Sequence, residues 1–116
     1  MNKTHQELYR LLVCRDLENE YLDNLHQFIH LNRNDISLKT CYHDGDTILH
    51  LIALRGLDEM IDTLRKKFNK LQIKQIVNKK NLSYTTPLHI ASCYGYTDVC
   101  KKLLNLGANI NCVTEQ

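Results

Sequence analysis

Thr86-Pro87-Leu88-His89-Ile90-Ala91 is the stretch that decides the fold. Its six residues gather the signals of a helix start. Thr86 can accept a backbone N–H as N-cap. Pro87 follows at the first helical position, where its missing N–H costs nothing. His89 falls three residues after the cap, where a side chain reaches back in the manner of a capping box. Leu88 and Ala91 share one face. Gly95 stops the helix after about two turns.

An earlier stretch repeats the pattern. Thr47, Leu49, His50 and Gly56 each stand 39 residues before Thr86, Leu88, His89 and Gly95. A duplication in register marks a repeat protein. It also makes His50 and His89 structural, since a catalytic pair is not duplicated in register. Each ring is expected to bond its Thr hydroxyl and the backbone of the neighbouring turn.

On these residues the chain resembles the ankyrin repeat family. The second copy reads Thr-Pro-Leu-His-x-Ala, the family's signature. It continues through Gly95, Val99, Leu103-Leu104 and Gly107-Ala108-Asn109-Ile110-Asn111. The first copy has Asp44-Gly45-Asp46-Thr47 as its turn, with Ile48 where the family prefers Pro. The resemblance covers residues 42–113 and is faint over 1–41. It implies an all-α fold, a short solenoid of about three stacked antiparallel helix pairs. Within the family, the Asp-Gly-Asp-Thr turn followed by an over-long repeat resembles the opening of IκB-type inhibitors and NF-κB precursors. That likeness implies masking of a transcription factor.

The chain divides accordingly. Residues 1–40 form a degenerate capping repeat, with Leu8, Leu11 and Leu12, then Leu17, Tyr21, Leu22, Leu25, Phe28 and Ile29, at helical spacing. Glu7, Glu18, Glu20, Asp23, Asn24 and Gln27 supply its wet outer face. Cys14-Arg15-Asp16 reads as the break between its helices. Residues 41–78 form a repeat of 39 residues against the family's ~33, so six extra residues lie between Phe68 and Val77. They either extend the helix that begins at Leu57 or add a turn of helix. Residues 79–113 form the last repeat, with helices over 86–94 and 97–105. Tyr84 stands where the family places Gly for a left-handed turn. Residues 114–116 begin a further repeat, so a longer parent chain, a covering partner or a dimer through the bare end is expected.

With 116 residues, one domain is expected. No apolar run approaches the ~20 residues of a membrane span, and the N-terminus lacks a signal peptide's apolar core. Five cysteines, at 14, 41, 93, 100 and 112, read as reduced thiols. These features point to an intracellular protein of the cytoplasm or nucleus.

No catalytic, cofactor or metal site is expected. His26 and His30 sit one turn apart but lack a third ligand and read as surface histidines. Cys41 and His43 are similarly incomplete. Cys93 and Cys100 have no base placed beside them, and no phosphate loop or nucleophile elbow is present.

Two surfaces remain. The net charge of +2 is split, about −5 over 1–64 and +7 over 65–116. Lys66, Lys67, Lys70 and Lys74 lie in the basic run 65–80. That run reads as a solvated helix face, a contact for an acidic protein, or least of all a nucleic-acid site, since Phe68 alone interleaves. The family resemblance implies that partners meet the turn tips and the exposed ends of the first helices. These positions are His43, Asp44, Asp46, Leu54, Arg55, Leu82, Ser83, Thr85, Cys93 and Tyr94. Leu54, Leu82 and Tyr94 are apolar or aromatic where an idle surface is polar, and Tyr and Arg are favoured contact types.

Overall fold

Helix starts set the architecture. In the computed structural model, residues 2–13 and 19–110 are described, the side chains of 19–22 excepted. The expected break at 14–16, Leu17, Glu18, Cys112 and the start of a further repeat lie outside them, as do the side chains of Glu20, Tyr21 and Leu22. Helix α3 (Ile48–Arg55) begins with a complete capping box. The Thr47 hydroxyl accepts the His50 N–H, and the His50 ring accepts the Thr47 N–H at 2.9 Å. Helix α6 (Pro87–Tyr94) repeats this with Thr86 and His89. Helix α1 (Lys3–Val13) uses Asn2 instead, whose Oδ1 accepts the His5 N–H at 2.9 Å.

The three capped helices form an inner layer, with α3 packed between α1 and α6. An outer layer holds α2 (Asn19–Leu31), α4 (Asp58–Lys67) and α7 (Thr97–Asn105) in the same order. Each inner helix pairs with the outer helix that follows it. The described residues contain seven α-helices and no strand, as an all-α solenoid requires. Two of the returns are short because Gly56 and Gly95 adopt left-handed φ values of 68° and 73°. There Leu57 N–H bonds the Ile52 carbonyl and Tyr96 N–H the Ala91 carbonyl, satisfying the last turn of each helix. A Cβ on Gly56 would lie 3.0 Å from the Tyr96 ring, so glycine also lets neighbouring hairpins approach.

The apolar seam runs between the layers. Leu8, Leu25, Leu49, Ile61 and Leu103 are fully buried there, one or more from every pair. Polar ties reinforce it. Lys102 of α7 donates to Asp58 at 2.9 Å and Asp62 at 2.7 Å on α4. Those carboxylates raise the lysine's pKa, Asp62 foremost.

The extra residues do not prolong α4. Phe68 is extended, and a separate helix α5 (Lys70–Val77) starts behind it. Asn69 and Gln72 form its own reciprocal capping box, at 2.8 and 3.0 Å. Ile73, Ile76 and Val77 bury one face of α5, and Lys70, Leu71 and Lys74 stay exposed.

His30 is exposed on the surface, as expected, whereas His26 is half-buried. Both face α4, where His26 Nδ1 contacts the Thr63 hydroxyl and His30 Nδ1 contacts Lys67. His26 Nε2 lies 3.7 Å from Glu59.

Candidate functional site

Two protruding turns dominate the surface above the inner helices. The first closes when Tyr42 N–H bonds the Asp46 carbonyl at 2.8 Å, the second when Asn81 N–H bonds Thr85 at 3.0 Å. The pairs stand 39 residues apart, so the turns are equivalent. Asp44 and Gly45 adopt φ of 60° and 70° in the first. In the second only Tyr84 does so, at 61°, taking the left-handed place of Gly45 with a side chain that pays a steric penalty there.

The turns lock together. Leu82 N–H bonds the Asp44 carbonyl at 2.9 Å, and the Ser83 hydroxyl bonds the Asp44 carboxylate at 2.8 Å. Asn81 donates to the Asp46 carboxylate at 2.8 Å. Beneath them, His50 Nε2 lies 2.8 Å from the Thr85 carbonyl. Because Nδ1 accepts the Thr47 N–H, Nε2 carries the proton and donates it. Burial depresses the His50 pKa, and the Thr85 carbonyl and the Asp46 carboxylate oppose that in part. The structural role read for His50 is therefore explicit: it caps its own helix and holds the next turn. His89 makes the same cap bonds to Thr86, with its ring half-buried.

His5 is the member of this set that the sequence reading missed. It is buried, and its Nε2 accepts the Ser37 N–H at 2.9 Å, so Nδ1 donates to Asn2. The ring thus holds the capping Asn2 side chain and the following segment, using the opposite tautomer from His50. The spacing Asn2-x-x-His5, matching Thr47-x-x-His50, was the available signal.

Among the expected contact residues, His43, Asp44, Ser83 and Cys93 are exposed, and Asp46, Arg55 and Thr85 are half-buried. Leu54 is 37%, Tyr94 57% and Leu82 75% exposed. Leu54 and Cys93 occupy equivalent positions on α3 and α6, as do Arg55 and Tyr94, so they share one face of adjacent helices. Tyr94 stacks on Tyr96, with ring centroids 5.8 Å apart, which fixes its orientation. Arg55 reaches the Leu12 carbonyl of α1. Asp44, Asp46, Thr85 and Arg55 therefore hold the turns and inner helices in place. Leu54, Leu82, Cys93 and Tyr94 present the side chains.

The basic residues lie elsewhere. Lys66, Lys70 and Lys74 are exposed on α4 and α5, whereas Lys67 is half-buried beside His30. Cys100 packs against the core, and Cys93 is exposed. Among the described residues, no three His, Cys, Asp or Glu side chains converge, and no helix is long and apolar enough to cross a membrane.

Stacked helix pairs with interlocked protruding turns define a helical repeat protein. A family profile described as ankyrin repeats in three copies matches residues 4–114, and the chain belongs to the ankyrin repeat family. Ankyrin repeats are protein–protein interaction modules, and the family is generally non-catalytic. The chain is similar to the nuclear factor NF-kappa-B p105 subunit of Gallus gallus, 34% identical over 68 residues, which is 59% of this chain and 7% of that protein. It is also similar to NF-kappa-B inhibitor alpha of Homo sapiens, 31% identical over 67 residues, 58% of this chain and 21% of that protein. The matched stretch is thus a minor part of either relative.

Proposed function

We propose that this chain is a non-catalytic recognition module that holds a protein partner against its turn tips and the exposed ends of α3 and α6. One observation carries the reading. Leu54, Leu82 and Tyr94 remain solvent-exposed on a scaffold whose polar neighbours are tied down by one another. Rigid apolar and aromatic side chains on a braced surface are what a partner can bury at low entropic cost. Leu54→Asp with Tyr94→Ala should abolish capture of the partner in a pull-down, with helicity unchanged. Undiminished capture would place the binding surface elsewhere.

A second reading names the partner's class. The likeness to p105 and to NF-kappa-B inhibitor alpha favours a transcription factor of the NF-kappa-B kind as the partner, masked in the cytoplasm or nucleus. Titrating a purified NF-kappa-B dimer with this chain tests that class separately, and saturable binding is the expected result. Absence of binding there, with capture of another protein intact, would leave the recognition role and remove this partner. An accessory domain of a larger protein would give that second outcome.

A further inference from the structure

We propose that the cleft between α5 and the end of α7 is a second docking site, for an acidic protein segment that inserts one apolar side chain. It lies beside the outer helices and stands apart from the turn-tip surface, so it does not rest on the reading above. The cleft holds about 150 Å³ and is lined by Arg65, Phe68, Lys70, Ile73, Asn105 and Leu106. Its floor is apolar. Ile73 and Leu106 are buried, and Phe68 is half-buried. Its rim is cationic and polar, because Arg65, Lys70 and Asn105 are exposed. Lys74 extends the rim, with its Cε near Gly107.

The walls are fixed. Asn78, at the end of α5, donates to the Gly107 carbonyl at 3.1 Å and accepts the Asn109 N–H at 2.7 Å. The α5 capping box holds the other end. A cleft of about 150 Å³ is on the scale of one leucine or phenylalanine side chain.

Charge selects the rest of the occupant. The sequence holds no Asp or Glu from 63 to 97. Of the α4 carboxylates, Asp58 and Asp62 are engaged by Lys102, and Glu59 lies 3.7 Å from His26 Nε2. Among the described residues, Arg65, Lys70 and Lys74 have no carboxylate partner. Their field is open to carboxylates that flank an anchoring side chain. Nucleic acid fits less well, since Phe68 is the one aromatic residue in the run and its half-buried ring lies in the cleft floor instead of forming a stacking platform.

The test uses the 116-residue chain, isotope-labelled for amide NMR. It is titrated with a synthetic peptide of aspartates and glutamates around one leucine. The same peptide with serine for leucine and a single-stranded DNA oligonucleotide serve as comparisons. Shifts should cluster at residues 65–73 and 105–107. The leucine peptide should bind roughly tenfold more tightly than the serine peptide. Arg65→Glu with Lys70→Glu should abolish the shifts while circular dichroism stays unchanged, because both side chains are exposed. Equal affinity of the two peptides, tighter binding of the oligonucleotide, shifts centred on the turn tips, or no saturable binding of the leucine peptide would each overturn the proposal.

Discussion

Three histidines carry the residue-scale logic. The His50 and His89 rings each complete the cap of an inner helix, the His5 ring bonds the Asn2 side chain that caps α1, and His5 and His50 also reach the next segment of chain. His50 is buried and bonds on both sides, whereas His89 is half-buried. Replacing His50 by Gln should therefore cost about 2–3 kcal/mol, a cap plus a buried cross-repeat bond. His89→Gln should cost about 1 kcal/mol, the cap alone. Urea denaturation of both variants reads the difference. The His50 pKa is lowered on folding, so its contribution is fully present above the unfolded value of about 6.5 and is lost as pH falls through the folded value. Wild-type stability should fall as the pH drops below about 6.5, with a shallower fall in His50→Gln. Tyr84 shows the opposite economy. Its left-handed backbone costs more than its 56% exposed ring returns. Tyr84→Gly should raise stability by about 0.5–1 kcal/mol in the same denaturation assay.

At the scale of elements, the helix starts at Thr47 and Thr86 were legible because capping is local chemistry. The same chemistry announced α1 through Asn2 and His5, but Asn in place of Thr and an offset of 45 residues hid the match. Helix α5 was legible only as apolar residues of uncertain attachment. Its capping box, Asn69 with Gln72, is what separates it from α4. Asn69→Ala should remove about 1 kcal/mol locally. Because α5 packs mainly on its neighbour α4, faster amide exchange should be confined to residues 70–77, with the stack unaffected. Uniformly faster exchange would show α5 to be part of the cooperative core. The turn tips were legible as exposed positions. That Asp44 and Asp46 serve as braces was not, since their partners Ser83 and Asn81 come from the following repeat, 39 and 35 residues on.

The whole molecule divides its work between two layers. The inner layer and its interlocked turns present Leu54, Leu82, Cys93 and Tyr94 on a fixed frame. The outer layer carries the basic cleft at α5. Charge halves of about −5 and +7 were visible in the sequence, but the cleft was not, because it joins Phe68 to Leu106 across two repeats. Recognition through the inner layer is the claim on which the functional account depends. Amide hydrogen exchange of the chain, alone and with the partner that the wild type retains in a pull-down, tests it most directly. The account predicts protection at 43–46, 54–55, 82–85 and 93–94. Protection confined to the outer helices α2, α4 and α7, or no partner retained by the wild type, would contradict it.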